Sequence, residues 1–221
     1  LGVARFAWQL EAGFAGPVLL VQHGSLVVAA DATLYYRDDL RRRLAGAGVR
    51  PAGQTPSHLI LAAYEAWGER CAEYLEGDYA FVLHDRRTGR LVAARDHVGT
   101  RPLFYATTRT GDVVVASTMG AVLAHPEVRA EIDLGEVALD AGGLTFTLGA
   151  RTAYHGVMRL LTGHTLVVDA DGKTSVRTHW RFPWGEQDRS SFEDGARELR
   201  MLLMDAVRER LAPEGATGIW L

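Results

Sequence analysis

Four short apolar runs between Tyr79 and Thr118 constrain this chain more than any other feature. YAFVLHD and RLVAARD flank Arg87-Thr88-Gly89, and LFYAT and DVVVAST flank Arg109-Thr110-Gly111. Runs this short, rich in β-branched and aromatic residues and broken by glycine turns, pair as antiparallel hairpins and leave no length for helices. A four-stranded meander through residues 79 to 117 is the expected result. With 48% of residues apolar, the chain has enough material to bury such strands on both faces.

The flanking sequence supplies helices and further strands. PVLLVQHGSLVVAAD reads as a hairpin around His23-Gly24-Ser25. YYRDDLRRRLAGAG reads as a short helix, with Asp38 and Asp39 early, arginines late and a glycine stop. Thr55, Pro56 and Ser57 open a second helix with Leu59, Ile60, Ala63, Tyr64 and Trp67 on one face. A short helical piece near Cys71 and Leu75 follows. Further helices are expected near Met119 to Leu123 and from Asp133. GHTLVVDADGKTSVRTHW is another hairpin, turning at Asp171-Gly172. The polar stretch PWGEQDRSS marks a boundary, dividing the chain into residues 1–185 and 186–221. Beyond it the strongest amphipathic helix runs from Phe192 to Leu211, with a capping box expected from Ser190 and Glu193 and a stop at Pro213. TGIWL reads as the start of a buried strand, so an α/β domain is expected to follow.

Composition narrows the function classes. A net charge of −3 gives no basic footprint for nucleic acid and no polybasic surface for lipid. No apolar run is long enough to span a bilayer, and no signal-peptide pattern opens the chain. The single Cys71 excludes an internal disulfide framework and fits a reducing, cytoplasmic setting. The histidines lack ligand spacing, so no metal site is expected.

LEGDYAFVLHD…LVAARDHVGTRPLFYA resembles the N-terminal, glutaminase-type domain of asparagine synthetases, which carries G-x-F/Y-A-F…D…RD-x-x-G-x-x-P-L-Y-Y. Weaker matches keep the same order along nearly the whole chain. Leu1 to Phe6 resembles the stretch around the arginine that holds glutamine, making Arg5 that residue. Asp31 to Tyr36 resembles the N-G-E-I-Y-N loop, Arg159 to His164 the R-L-P-P-G-H element, and GIWL the strand leading into the pyrophosphate-binding S-G-G-x-D-S loop. The resemblance implies an α+β fold, a four-layer αββα sandwich like that of N-terminal-nucleophile hydrolases, followed by the first helix and strand of a synthetase domain. It implies ATP and Mg2+ bound by that following domain, with Leu221 beside the nucleotide.

In that family an N-terminal cysteine thiol attacks the glutamine amide, its own α-amino group acts as base, and an Asn-Gly pair stabilises the oxyanion. The ammonia then displaces AMP from an adenylated carboxylate. This chain departs in three ways. It opens on Leu1, inside the family's pattern. The Asn-Gly pair reads Asp31-Ala32, and a carboxylate opposes a developing oxyanion. The acidic residue that holds the glutamine ammonium falls near Thr55-Pro56, where no carboxylate stands. Cys71, mid-helix with no base nearby in sequence, reads as a core thiol.

Family members with decayed glutaminase domains, such as β-lactam synthetases and lasso-peptide cyclases, look similar and use an amine already on a small-molecule or peptide substrate. Each residue also has a plainer reading. Arg5 would cap or pair within a strand, and Asp31 would be a turn residue. Arg95 and Asp96 would form an ion pair or cap a turn shaped by Gly99 and Pro102. Tyr79, Phe81, Phe104 and Tyr105 would be core. Three functions are carried forward: an ATP-dependent amide-forming enzyme with an inactive glutaminase domain, a glutamine-hydrolysing asparagine synthetase with its cysteine upstream, and a non-catalytic scaffold. A homodimer stays open.

Overall fold

The computed structural model describes residues 1–2, 20–143, 149–185 and 190–211. Strands β1 (Leu20–His23) and β2 (Leu26–Leu34) form the expected hairpin, with Val21 opposite Val28. Helices α1 (Arg37–Gly46) and α2 (Pro56–Trp67) follow, with Pro56 in the first helical turn, where a missing amide costs nothing. A 3-10 turn (Gly68–Tyr74) leads into β3 (Gly77–Asp85) and β4 (Arg90–Arg95). Then come β5 (Phe104–Thr107), β6 (Val113–Ala116), α3 (Met119–Leu123), α4 (Leu134–Ala141), β7 (Val157–Arg159), β8 (His164–Val168), β9 (Thr174–Thr178) and α5 (Phe192–Arg210).

The strands assemble into a six-stranded sheet ordered β1-β2-β3-β4-β8-β9 and a three-stranded sheet ordered β6-β5-β7. Every pairing is antiparallel. The side-chain period of two sorts the layers. Tyr79, Phe81 and Leu83 of β3 meet Leu40, Leu44, Leu59 and Ile60 from α1 and α2 on one face of the large sheet. Ala80 and Val82 point the other way, packing with Leu103, Leu166, Tyr105 and Val115 between the two sheets. Phe104, Ala106 and Val114 on the outer face of the small sheet meet Val122 and Leu123 of α3. Helices, sheet, sheet and helix thus stack as the αββα sandwich expected from sequence.

The four runs from 79 to 117 do not form one meander. β3 and β4 lie in the large sheet, whereas β5 and β6 lie in the small one, so the segment 96–103 carries the chain across. Arg95 and Asp96 fix that crossing, and they do it through the backbone. The fully buried Asp96 carboxylate accepts five backbone N–H groups, from Tyr79, Val98, Gly99, Thr100 and Arg101. The Arg95 guanidinium donates to the carbonyls of Gly99, Leu160 and Arg101. Gly99 has φ +75°, and a Cβ there would sit 2.5 Å from Thr162 Cγ2, so both the backbone and the space demand glycine.

Tyr79 also ends a buried polar chain. Its hydroxyl donates to the Ala72 carbonyl (3.3 Å) and so must accept from His179 Nε2 (3.3 Å), which leaves His179 Nδ1 to accept from the Thr165 hydroxyl (3.0 Å). That arrangement needs a neutral ring. Burial, the nearby His97 and His164, and Arg177 push the His179 pKa down to about 4, with Glu73 opposing. The unfolded chain therefore binds this proton more readily than the folded one. Stability is full above about pH 6.5 and falls as the pH drops toward 4. With the part-exposed ring discounted for solvent screening, the expected loss is about 2 kcal/mol. Urea titrations of wild type and His179→Gln at pH 7 and 4.5 should show a smaller pH dependence in the variant, and equal slopes would exclude this origin.

One end cap differs from expectation. Ser191, one residue past the expected Ser190, caps α5 by accepting from the Asp194 amide (3.1 Å). α5 buries none of its residues against the described structure, although Leu199, Leu202, Leu203 and Val207 form the expected stripe. Pro213 and the TGIWL segment lie outside the described residues. No helix among the described residues is long and apolar enough to cross a membrane.

Candidate functional site

Asp31 lies within strand β2, opposite Ala80 of β3, and is not a turn residue. The alternation along β2 sends Ala30, Ala32 and Leu34 toward the helices and Asp31 toward the inter-sheet side. Ala32 is buried beneath α1 and α2, opposite Tyr79. On the inter-sheet side Asp31 meets Arg101, which the crossing loop delivers; Oδ1 and Nε are 3.7 Å apart. That Nε is buried and, among the described residues, has no hydrogen-bond acceptor.

Asp78 lies two residue pairs farther along, opposite Thr33 and on the same face. Its two oxygens accept from the Tyr35 hydroxyl (2.9 Å) and from the Thr100 hydroxyl (3.4 Å). Strands β2 and β3 and the crossing loop therefore gather two carboxylates, one guanidinium and two hydroxyls at one sandwich edge. Burial and the Asp78 carboxylate push the Tyr35 pKa up, while Arg210 and Arg101 oppose. Of this group, only Asp31 stood out in the sequence. Arg101 and Asp31 are far apart along the chain, and no local pattern pairs them.

The remaining candidates fall elsewhere. Arg5 and Leu221 lie outside the described residues. Thr55 is the N-cap position of α2, and its hydroxyl contacts His58 Nδ1 at 2.7 Å. Cys71 is fully buried, and desolvation pushes its thiol up to about 12, so it is no thiolate nucleophile near neutral pH. A cleft of about 550 Å3 opens at the other end of the large sheet, near Ser25, Tyr64 and Asp85. The Asp85 carboxylate there already accepts from Ser25, Thr88 and the Arg87 amide, which stabilises the β3–β4 turn.

The pattern of the glutamine amidotransferase domain matches residues 7–180. The chain belongs to that family. Its relatives include the glutamine-hydrolysing asparagine synthetase 3 of Bacillus subtilis, 30% identical over 82% of this chain and 29% of that protein. The amidase chyE of Penicillium rubens is 28% identical over 85% of this chain and 27% of that protein. A glutamine phosphoribosylpyrophosphate amidotransferase structure from Bacillus subtilis covers 74% of this chain and 32% of its own, with 19% identity and a TM-score of 0.48. The chain spans less than a third of the length of each of these three proteins.

Asp31 and Ala32 are the positions at which the sequence resemblance leads one to expect an oxyanion-stabilising pair. A working pair offers N–H donors to a developing negative charge. Here the first position offers a carboxylate already engaged with a guanidinium.

Proposed function

We propose that this chain is the amidotransferase-type part of an ATP-dependent amide-forming enzyme of the asparagine synthetase type, and that its glutaminase domain does not hydrolyse glutamine. The Asp31–Arg101 ion pair carries this reading. It puts an acceptor where the chemistry needs a donor, and Thr55-Pro56 withdraws the carboxylate that would hold the substrate ammonium. The amine would then come with the substrate, a small molecule or a peptide, as in β-lactam synthetases and lasso-peptide cyclases.

Among the described residues no group of acidic, histidine or cysteine side chains is placed to hold a metal ion. In this reading ATP and Mg2+ would be bound by the synthetase domain expected to follow, which would carry out the carboxylate adenylation. Similarity to the glutamine-hydrolysing asparagine synthetase 3 of Bacillus subtilis supports a second reading, a glutamine-hydrolysing synthetase with its cysteine upstream.

Pyrophosphate release by the full-length protein separates the two. Turnover that needs ATP and an amine-bearing carboxylate substrate, and is indifferent to glutamine, is the expected result. Turnover that needs glutamine or free ammonia supports the second reading.

A further inference from the structure

α5 is nineteen residues long and buries no side chain, yet its last turn is fastened to the rest of the molecule. Two consecutive residues of that turn hold two consecutive residues of the β2–α1 corner. Glu209 Oε2 accepts the Tyr36 backbone N–H at 2.7 Å, and the Arg210 guanidinium lies 4.1 Å from the centre of the Tyr35 ring. The second contact is a cation–π geometry.

The corner is itself unusual. Tyr36 has φ 49° and ψ 40° and is the only non-glycine residue with positive φ among those described. Bulky residues rarely adopt that region and keep it only where their surroundings impose it. Tyr36 also occupies the N-cap position of α1 without a side-chain cap. An acceptor supplied from 173 residues away therefore holds this backbone amide.

Tyr35 carries the connection inward. Its ring is under Arg210 and its hydroxyl donates to Asp78, whose other oxygen accepts from Thr100 beside Arg101. Arg210 and Arg101 both act electrostatically on the same phenol. A continuous line of contacts thus runs from the end of α5 to the Asp31–Arg101 pair.

We propose that Glu209 and Arg210 form a latch on the Tyr35–Tyr36 corner, and that Tyr35 and Asp78 couple the seating of α5 to the arrangement of the Asp31–Arg101 edge. The latch is independent of whether the domain hydrolyses glutamine. With the latch closed, Tyr36 is held left-handed and Tyr35 is fixed on Asp78. With it open, Tyr36 relaxes and the Asp78 side of the edge loosens. Because α5 has no other described anchor, whatever engages its exposed stripe acts on this corner first. Coupling of this kind is reciprocal: a change at Asp78 must be felt at the end of α5.

Native-state hydrogen exchange on the full-length protein, read by mass spectrometry, tests the latch. Glu209→Gln combined with Arg210→Met should speed exchange of amides 35–40 by about tenfold, the size of one net hydrogen-bond contribution, and leave residues 80–95 unmoved. Asp78→Asn should speed exchange in the last turn of α5. Arg208→Met is the control, since among the described residues Arg208 pairs with Asp205 in the same turn, and the variant takes one arginine from the last turn as Arg210→Met does. If Arg208→Met speeds residues 35–40 as much as the latch variant does, helix fraying explains the effect and the latch is wrong. Unchanged exchange at residues 35–40 in the latch variant overturns the latch, and an unchanged last turn in Asp78→Asn overturns the coupling. All of these side chains except that of Asp78 lie on exposed surface, and Tyr35→Phe, which removes only the hydroxyl link, gives a milder second probe with the same expected direction.

Discussion

Asp96→Ala should cost about 4 kcal/mol or more, a large share of the roughly 5–15 kcal/mol that holds a domain of this kind folded. The carboxylate is completely buried and accepts five backbone amides. Removing it strands those donors where the 96–103 crossing passes between sheets, and each unmet buried donor costs about 1–3 kcal/mol before relaxation. The five losses will not add, because one water or a shifted loop can rescue several of them together.

Asp96→Asn separates charge and geometry from cavity effects. Its volume is nearly that of the aspartate, but one of the two oxygens becomes an NH2 that faces donors. If the carbonyl stays toward Val98, Gly99 and Thr100, the Tyr79 and Arg101 amides lose their acceptor. About half the alanine penalty is expected. Chemical denaturation read by circular dichroism measures both variants, and an asparagine variant as stable as wild type would show that these bonds do not hold the crossing.

In sequence Arg95 and Asp96 read as an ion pair or as caps of a turn shaped by Gly99 and Pro102, and the capping half of that reading is short-range and so legible. The reach of Arg95 to Leu160 is not, since it depends on β7 lying beside β5 in the second sheet. For the same reason the runs from 79 to 117 read as one meander: local turn chemistry specifies each hairpin but not which sheet a hairpin joins. Tyr79 and Phe81 were legible as core from alternation alone. Asp31 was noticed through family resemblance, whereas its ion pair with Arg101 and the adjoining Asp78–Tyr35 bond needed the folded chain. The α5 stripe was legible as amphipathic, and the described residues leave it uncovered. Its cap falls one residue later than expected, since two adjacent serines are not told apart by sequence alone.

The second large effect concerns glutamine. In enzymes that stabilise an oxyanion, losing a single donor lowers kcat by about 10²–10³. Under the proposed function the loss at Asp31 would be compounded, because a carboxylate would replace the donor and turn its charge against the intermediate. Arg101 Nε lies 3.7 Å from Asp31 Oδ1, close enough to offset that charge in the resting protein. It does not convert the carboxylate into an amide donor. Asp31→Asn by itself should therefore restore no measurable hydrolysis, since the proposed function also has the ammonium-binding carboxylate missing near Thr55-Pro56. A clear gain from Asp31→Asn would mean that the rest of the glutamine site is intact.

The most direct measurement is glutamate release from L-glutamine by the full-length protein with its natural N-terminus, with ATP and candidate carboxylate substrates present. Release no faster than in buffer, while amide formation proceeds on a substrate that carries its own amine, is the predicted result. Glutamate release near the roughly 10 s⁻¹ typical of enzymes, abolished by alkylating an N-terminal cysteine, would contradict the account.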